Sequence, residues 1–156
     1  MTLPPHALLA GALATTLLTT LLRASVELHF SRMDFPFILG TVLTADRDRA
    51  KLAGMGLHFL MGLVFACFYA EFFAEVAPAS AWLGAVLGLA HGLFVLVILL
   101  PLMPSVHPRM ASSTRGPDPT PMLEPPGFLS LNYGRQTPGI ALVAHALYGA
   151  VLGALL

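Results

Sequence analysis

Charge is what this 156-residue chain has least of: 10% of its residues are Asp, Glu, Lys or Arg, against 56% that are hydrophobic. Soluble domains carry about 25% charged residues, so a deficit this large excludes an ordinary water-facing surface. The eight basic and eight acidic side chains cancel formally. That leaves no cationic footprint, and no nucleic-acid partner is expected. Cysteine occurs once, at Cys67. One thiol excludes an intrachain disulfide and a cysteine metal cluster, and its apolar neighbours mark it as a packing residue. No Lys or Arg precedes Arg23. The first apolar run therefore lacks the positive n-region of a signal peptide and reads as a retained helix. A G-x-S-x-G elbow, a P-loop and an H-E-x-x-H pair are also missing, so an enzyme is the least supported class. A lipid-modifying enzyme using Glu27 or Asp34 with His107 would have to work without any of these motifs.

What is present is apolar sequence in long runs. Spans are expected at about 4–28, 52–74, 80–101 and 138–156, with loops at about 29–51 and 102–137. Each run is near the 20 or so residues that cross the hydrocarbon core, and backbone hydrogen bonding in lipid requires such spans to be helical. The expected fold is a single all-α domain, a four-transmembrane-helix bundle in contact with the lipid bilayer. All eight basic residues lie at or within the two long loops: Arg23, Arg32, Arg47, Arg49 and Lys51 in one, Arg109, Arg115 and Arg135 in the other. The positive-inside rule places those loops in the cytoplasm and both termini outside.

The loops are not uniformly polar. Phe35, Phe37, Ile38, Leu39, Val42 and Leu43 make the first one apolar, so it is expected in the interface or packed under the bundle. Pro36 separates it from the first helix, and Thr44 is the expected N-cap of the second, with Asp46 and Asp48 in its first turn. The second loop is proline-rich, as a disordered linker would be. The apolar segment from Gly127 to Gly134, however, favours a lid over the mouth of the bundle.

Helix periodicity selects candidate side chains. Gly84, Gly88 and Gly92 repeat at four-residue spacing, as do Gly149 and Gly153. Such stripes let helix backbones approach closely, and self-association or membership of a larger membrane complex is expected through them. His58 lies four residues before Gly62 and His145 four before Gly149. Two tandem helical hairpins related by an axis along the membrane normal would account for that match. Thr16, Thr20, Arg23 and Glu27 form a polar stripe on the first helix that is expected to face the bundle. Depth along each helix brings His58, His91 and His145 toward one site, with Arg23 and Glu27 at its mouth and His107 and Tyr133 in the covering loop. Glu71 and Glu75 fall at the opposite interface.

Three roles suit such a site. Neutral imidazoles with a carboxylate can bind a transition metal, and His58 with His145 could ligate a haem. Intramembrane His, Arg and Glu also mark transporters and proton relays, which for four helices would require an oligomer. The leading expectation is an accessory or scaffold subunit, in which the histidines bond neighbouring helices.

The segments Gly40 to Ala50, Val106 to Ala111 and Glu124 to Gly134 resemble those of small, uncharacterised bacterial four-helix membrane proteins. The resemblance covers nearly the whole chain. It implies a multi-pass protein of the bacterial cytoplasmic membrane and brings no assigned activity or functional residue.

Overall fold

The computed structural model describes residues 5–112 and 122–156. Arg115 and the loop prolines Pro117, Pro119 and Pro121 lie outside the described residues. The order of elements is α1 (Pro5–Glu27), α2 (Phe35–Leu43), α3 (Arg47–Glu75), α4 (Ala81–Phe94), a π-helical turn (Val95–Leu99), α5 (Leu100–Val106), a 3-10 turn (Phe128–Tyr133) and α6 (Thr137–Leu155). No strand occurs among the described residues. Four helical runs are long and apolar enough to cross a membrane: α1, α3, the continuous stretch Ala81–Val106, and α6. Side chains such as Leu9, Phe68 and Val143 are more than half exposed on their outer faces. An apolar surface this extensive suits hydrocarbon rather than water.

Small residues set the helix packing. A Cβ at Gly84 would overlap the Gly149 carbonyl, one at Gly88 would overlap the His145 carbonyl, and one at Gly153 would overlap the Ser80 carbonyl. The backbones of α4 and α6 are therefore in direct contact. The glycine stripes expected to join copies of the chain are consumed inside one copy. Helix α1 packs against both α3 and α6. Its Gly11 meets Ala66, and its Thr15 fills the space above Gly62. Side chains rather than backbones bridge α3 and α4, through Phe65, Tyr69 and His91. Gly62, four residues after His58, thus receives a side chain, that of Thr15, whereas Gly149, four residues after His145, meets the backbone of Gly84.

The loop-bearing end is ordered by specific bonds. Helix α1 closes in a Schellman motif, with His29 left-handed (φ 59°) and the Phe30 N–H reaching the Ser25 carbonyl at 2.8 Å. Asp34 caps α2, and Pro36 sits in its first turn. Helix α2 then folds back along α3, where Gly40 and Gly54 allow backbone contact: a Cβ on Gly40 would overlap the Ala50 carbonyl. Asp46, not Thr44, is the N-cap of α3, accepting from the Arg49 N–H at 2.8 Å. Thr44 instead accepts from the Asp46 N–H, one step earlier.

The π turn has a local cause. Pro101 has no N–H and would crowd the carbonyl four residues back in a regular helix. Widening the preceding turn, with the Leu100 N–H bonded to the Val95 carbonyl, relieves that conflict. π turns inside helices recur beside functional sites.

Candidate functional site

A buried chamber lies between the helices, just below the π turn. Thr15 and Leu18 of α1, Phe65 of α3, Val95 of the π turn and Tyr148 of α6 are in its wall, together with His58, His91 and His145. The three intramembrane histidines of the sequence reading therefore meet. The rings of His91 and His145 are 4.9 Å apart, edge to face. Phe65 lies against His91 at 4.0 Å, and Phe35 from α2 meets the His58 ring edge-on at 5.4 Å.

Hydrogen bonding assigns the tautomers. The Thr19 hydroxyl donates to the Thr15 carbonyl at 2.6 Å. Its oxygen is then the acceptor for His58 Nδ1–H at 3.2 Å. His145 Nδ1–H donates to the Ala141 carbonyl at 2.8 Å. In both rings the proton is on Nδ1, so Nε2 carries a lone pair, and no described residue donates to it. His91 Nδ1 and the Tyr69 hydroxyl are buried with no hydrogen-bond partner among the described residues. Tyr148 spans the chamber wall, its hydroxyl donating to the Gly62 carbonyl at 2.6 Å. A buried imidazole nitrogen without a partner, such as His91 Nδ1, is costly in a low-dielectric interior. The chamber suits a guest that donates hydrogen bonds.

The chamber volume is about 50 Å³, room for roughly three water molecules. His58 and His145 therefore do not flank a gap of porphyrin size. Nor is a metal shell assembled: among the described residues no group of three His, Cys, Asp or Glu side chains is placed to hold an ion.

Arg23 and Glu27 are not at the mouth of this chamber. Glu27 is 72% exposed, and Arg23 pairs with it at 3.4 Å and with Asp34 at 2.5 Å. That pair joins the end of α1 to the start of α2 on the outside of the bundle. Thr16 and Thr20 also face outward. Each hydroxyl donates to the carbonyl four residues back, at 2.8 Å, so neither brings an unsatisfied polar group to the lipid. The buried threonines are their neighbours Thr15 and Thr19. Glu71 and Glu75 are exposed near the far end of α3.

His107 and Tyr133 fasten the lid and do not line the chamber. His107 is 1% exposed; its Nε2–H reaches the Ile38 carbonyl at 3.0 Å and its Nδ1 accepts from the Arg109 N–H. The Arg109 guanidinium donates to the Thr41 carbonyl at 2.6 Å, near the end of α2. Tyr133 donates to the Glu124 carbonyl at 2.5 Å, and Glu124 pairs with Arg32 at 3.0 Å. Burial, and next the Glu124 carboxylate, push the Tyr133 phenol up to about 12. Lid and chamber communicate through an apolar plug that includes Met33, Leu100, Met110 and Tyr133.

A second, open groove of about 310 Å³ runs between α3 and α4, lined by Phe65, Tyr69, Phe72, Leu87, His91 and Phe94 among others. Phe65 and His91 belong to the wall of both spaces. Sequence reasoning missed Phe65, Thr19 and Tyr148. The small residues Ala7, Gly11, Ala14 and Thr15, at helical spacing, could have signalled the buried face of α1. Phe65 gives no such signal, because one aromatic among many apolar residues is unmarked.

The fold and site define a multi-pass, all-α membrane protein with a histidine-lined interior chamber. No family model matches the chain, and no curated protein or solved structure matches it.

Proposed function

We propose that this protein binds a lipid-soluble amphiphile whose polar head donates hydrogen bonds. The head occupies the histidine chamber, and the apolar body lies in the groove between α3 and α4. One observation carries this reading: His91, whose buried Nδ1 has no hydrogen-bond partner among the described residues, stands with Phe65 in the wall of the chamber and also in the wall of a lipid-facing groove. A ligand dissolved in the bilayer would arrive laterally and displace the Phe65 ring, without crossing the lid. By the positive-inside rule the lid is cytoplasmic and both termini are outside; the family resemblance points to the bacterial cytoplasmic membrane.

The accessory-subunit reading uses the same histidines as helix fasteners. It leaves the His91 nitrogen unexplained, since that atom fastens nothing. A proton relay has less support, because Met33, Leu99 and Leu100 close the chamber toward the loops with apolar groups.

A long-chain 4-alkylphenol and its methyl ether separate these roles, since they differ in one donor proton. Binding to the purified protein in mild detergent is measured by equilibrium dialysis. The phenol is expected to bind about 3- to 10-fold more tightly, the worth of a net hydrogen bond. The preference disappears in the His58→Leu, His91→Leu, His145→Leu triple variant. Equal binding of phenol and ether to the wild type overturns the reading. A triple variant that loses stability while keeping the preference returns the histidines to a fastening role.

A further inference from the structure

We propose a second site, for an anionic phospholipid, in the groove between α1 and α6 at the loop-bearing end. The groove has a volume of about 570 Å³. Leu21, Leu28, Ile140 and Val143 supply its apolar walls, and Arg135 and Gln136 stand at its rim. Leu21 to Leu28 covers two helical turns, about 10 Å of depth, enough for the upper part of an acyl chain.

Charge decides the occupant. Arg135 is exposed and makes no ion pair or hydrogen bond with any described residue. No carboxylate lines the groove. The corresponding groove between α1 and α2–α3 also holds cations, Arg23 and Lys51, but Asp34 stands among them and pairs with Arg23. The field at the α1–α6 groove is thus uncompensated. Helix α6 starts at the same rim with no side-chain cap, and its dipole adds positive potential where Arg135 stands. A second copy of the chain would have to bury that cation, or bring it an acid. A phosphodiester headgroup meets it at interface depth while its chain fills the apolar part. Gly139 leaves the groove open: a Cβ there would meet nothing within 4 Å.

Native mass spectrometry of the protein in mild detergent, titrated with phosphatidylglycerol or phosphatidylcholine of identical chains, tests the site. Phosphatidylglycerol is expected to be retained about fivefold better, as one interfacial Arg provides. Arg135→Gln removes the preference, whereas Arg49→Gln, remote from the groove, preserves it. Gly139→Leu, whose Cβ meets open space, puts a side chain into the groove and weakens retention of both lipids. Equal retention by the wild type, or a preference that survives in Arg135→Gln, overturns the proposal. So does displacement of the lipid by inorganic phosphate, which would mark a free-anion site. A change of oligomeric state in Gly139→Leu, with lipid retention intact, would assign the groove to a second copy instead.

Discussion

At the residue scale, one-residue differences separate a buried group from a lipid-facing one. Thr19 and Thr20 are adjacent, and both hydroxyls bond back to helix carbonyls. Thr19 alone also accepts from His58. Thr19→Val is therefore expected to cost about 1–3 kcal/mol, since it strands a buried N–H donor, while Thr20→Val stays within about 0.5 kcal/mol. Reversible unfolding in mixed micelles compares the two; equal effects would contradict the assigned facing of α1. His29 offers the opposite sign. It is exposed, left-handed, and ends α1 where glycine has no Cβ penalty. His29→Gly is expected to stabilise by up to about 1 kcal/mol in the same assay.

At the scale of elements, the lid is a set of backbone acceptors held by a few side chains. Leu129 and Ser130 both take positive φ, 53° and 59°, a conformation that non-glycine residues adopt only under constraint. The constraints are Tyr133 on the Glu124 carbonyl and Arg32 on Glu124. Because the folded phenol holds its proton up to about 12, against an ordinary value of 10.0, the unfolded chain releases that proton first as pH rises. The stability this adds is complete below pH 10 and lost as pH rises through about 12. Amide exchange across residues 122–134 is expected to accelerate over that window in the wild type. In Tyr133→Phe the protection is lower from the start and loses this pH step. A step of the same size in the variant would remove Tyr133 as its source.

For the whole molecule, the α4–α6 contact is the least adjustable. Gly149 and Gly84 face each other, and a side chain on either meets backbone that cannot rotate away. Gly149→Leu must separate the helices and is expected to cost about 3 kcal/mol or more, at the upper end of overpacking. At Gly139 on the same helix a Cβ meets open space, and Gly139→Leu is expected to leave the fold unchanged. Thermal unfolding of the two variants reads the contrast. Comparable losses would mean that α6 packs on a different face.

The number of spans, their helical state and their approximate ends were determined by composition and run length, because lipid leaves the backbone no alternative to the helix. The convergence of His58, His91 and His145 was legible as well, since depth along a helix follows directly from residue number. Which face of α1 turned inward was not. The doublets Thr15–Thr16 and Thr19–Thr20 fit either facing, and back-bonded hydroxyls weaken the usual rule that polar groups avoid lipid. Arg23 and Glu27 were drawn away from the histidines by Asp34, a partner whose position depends on the turn between α1 and α2. The wall that Phe65 and His91 share between chamber and groove exists only because α3 and α4 meet through side chains while α4 and α6 meet through backbone. That difference arises from packing between distant segments, and periodicity along one helix carries no record of it.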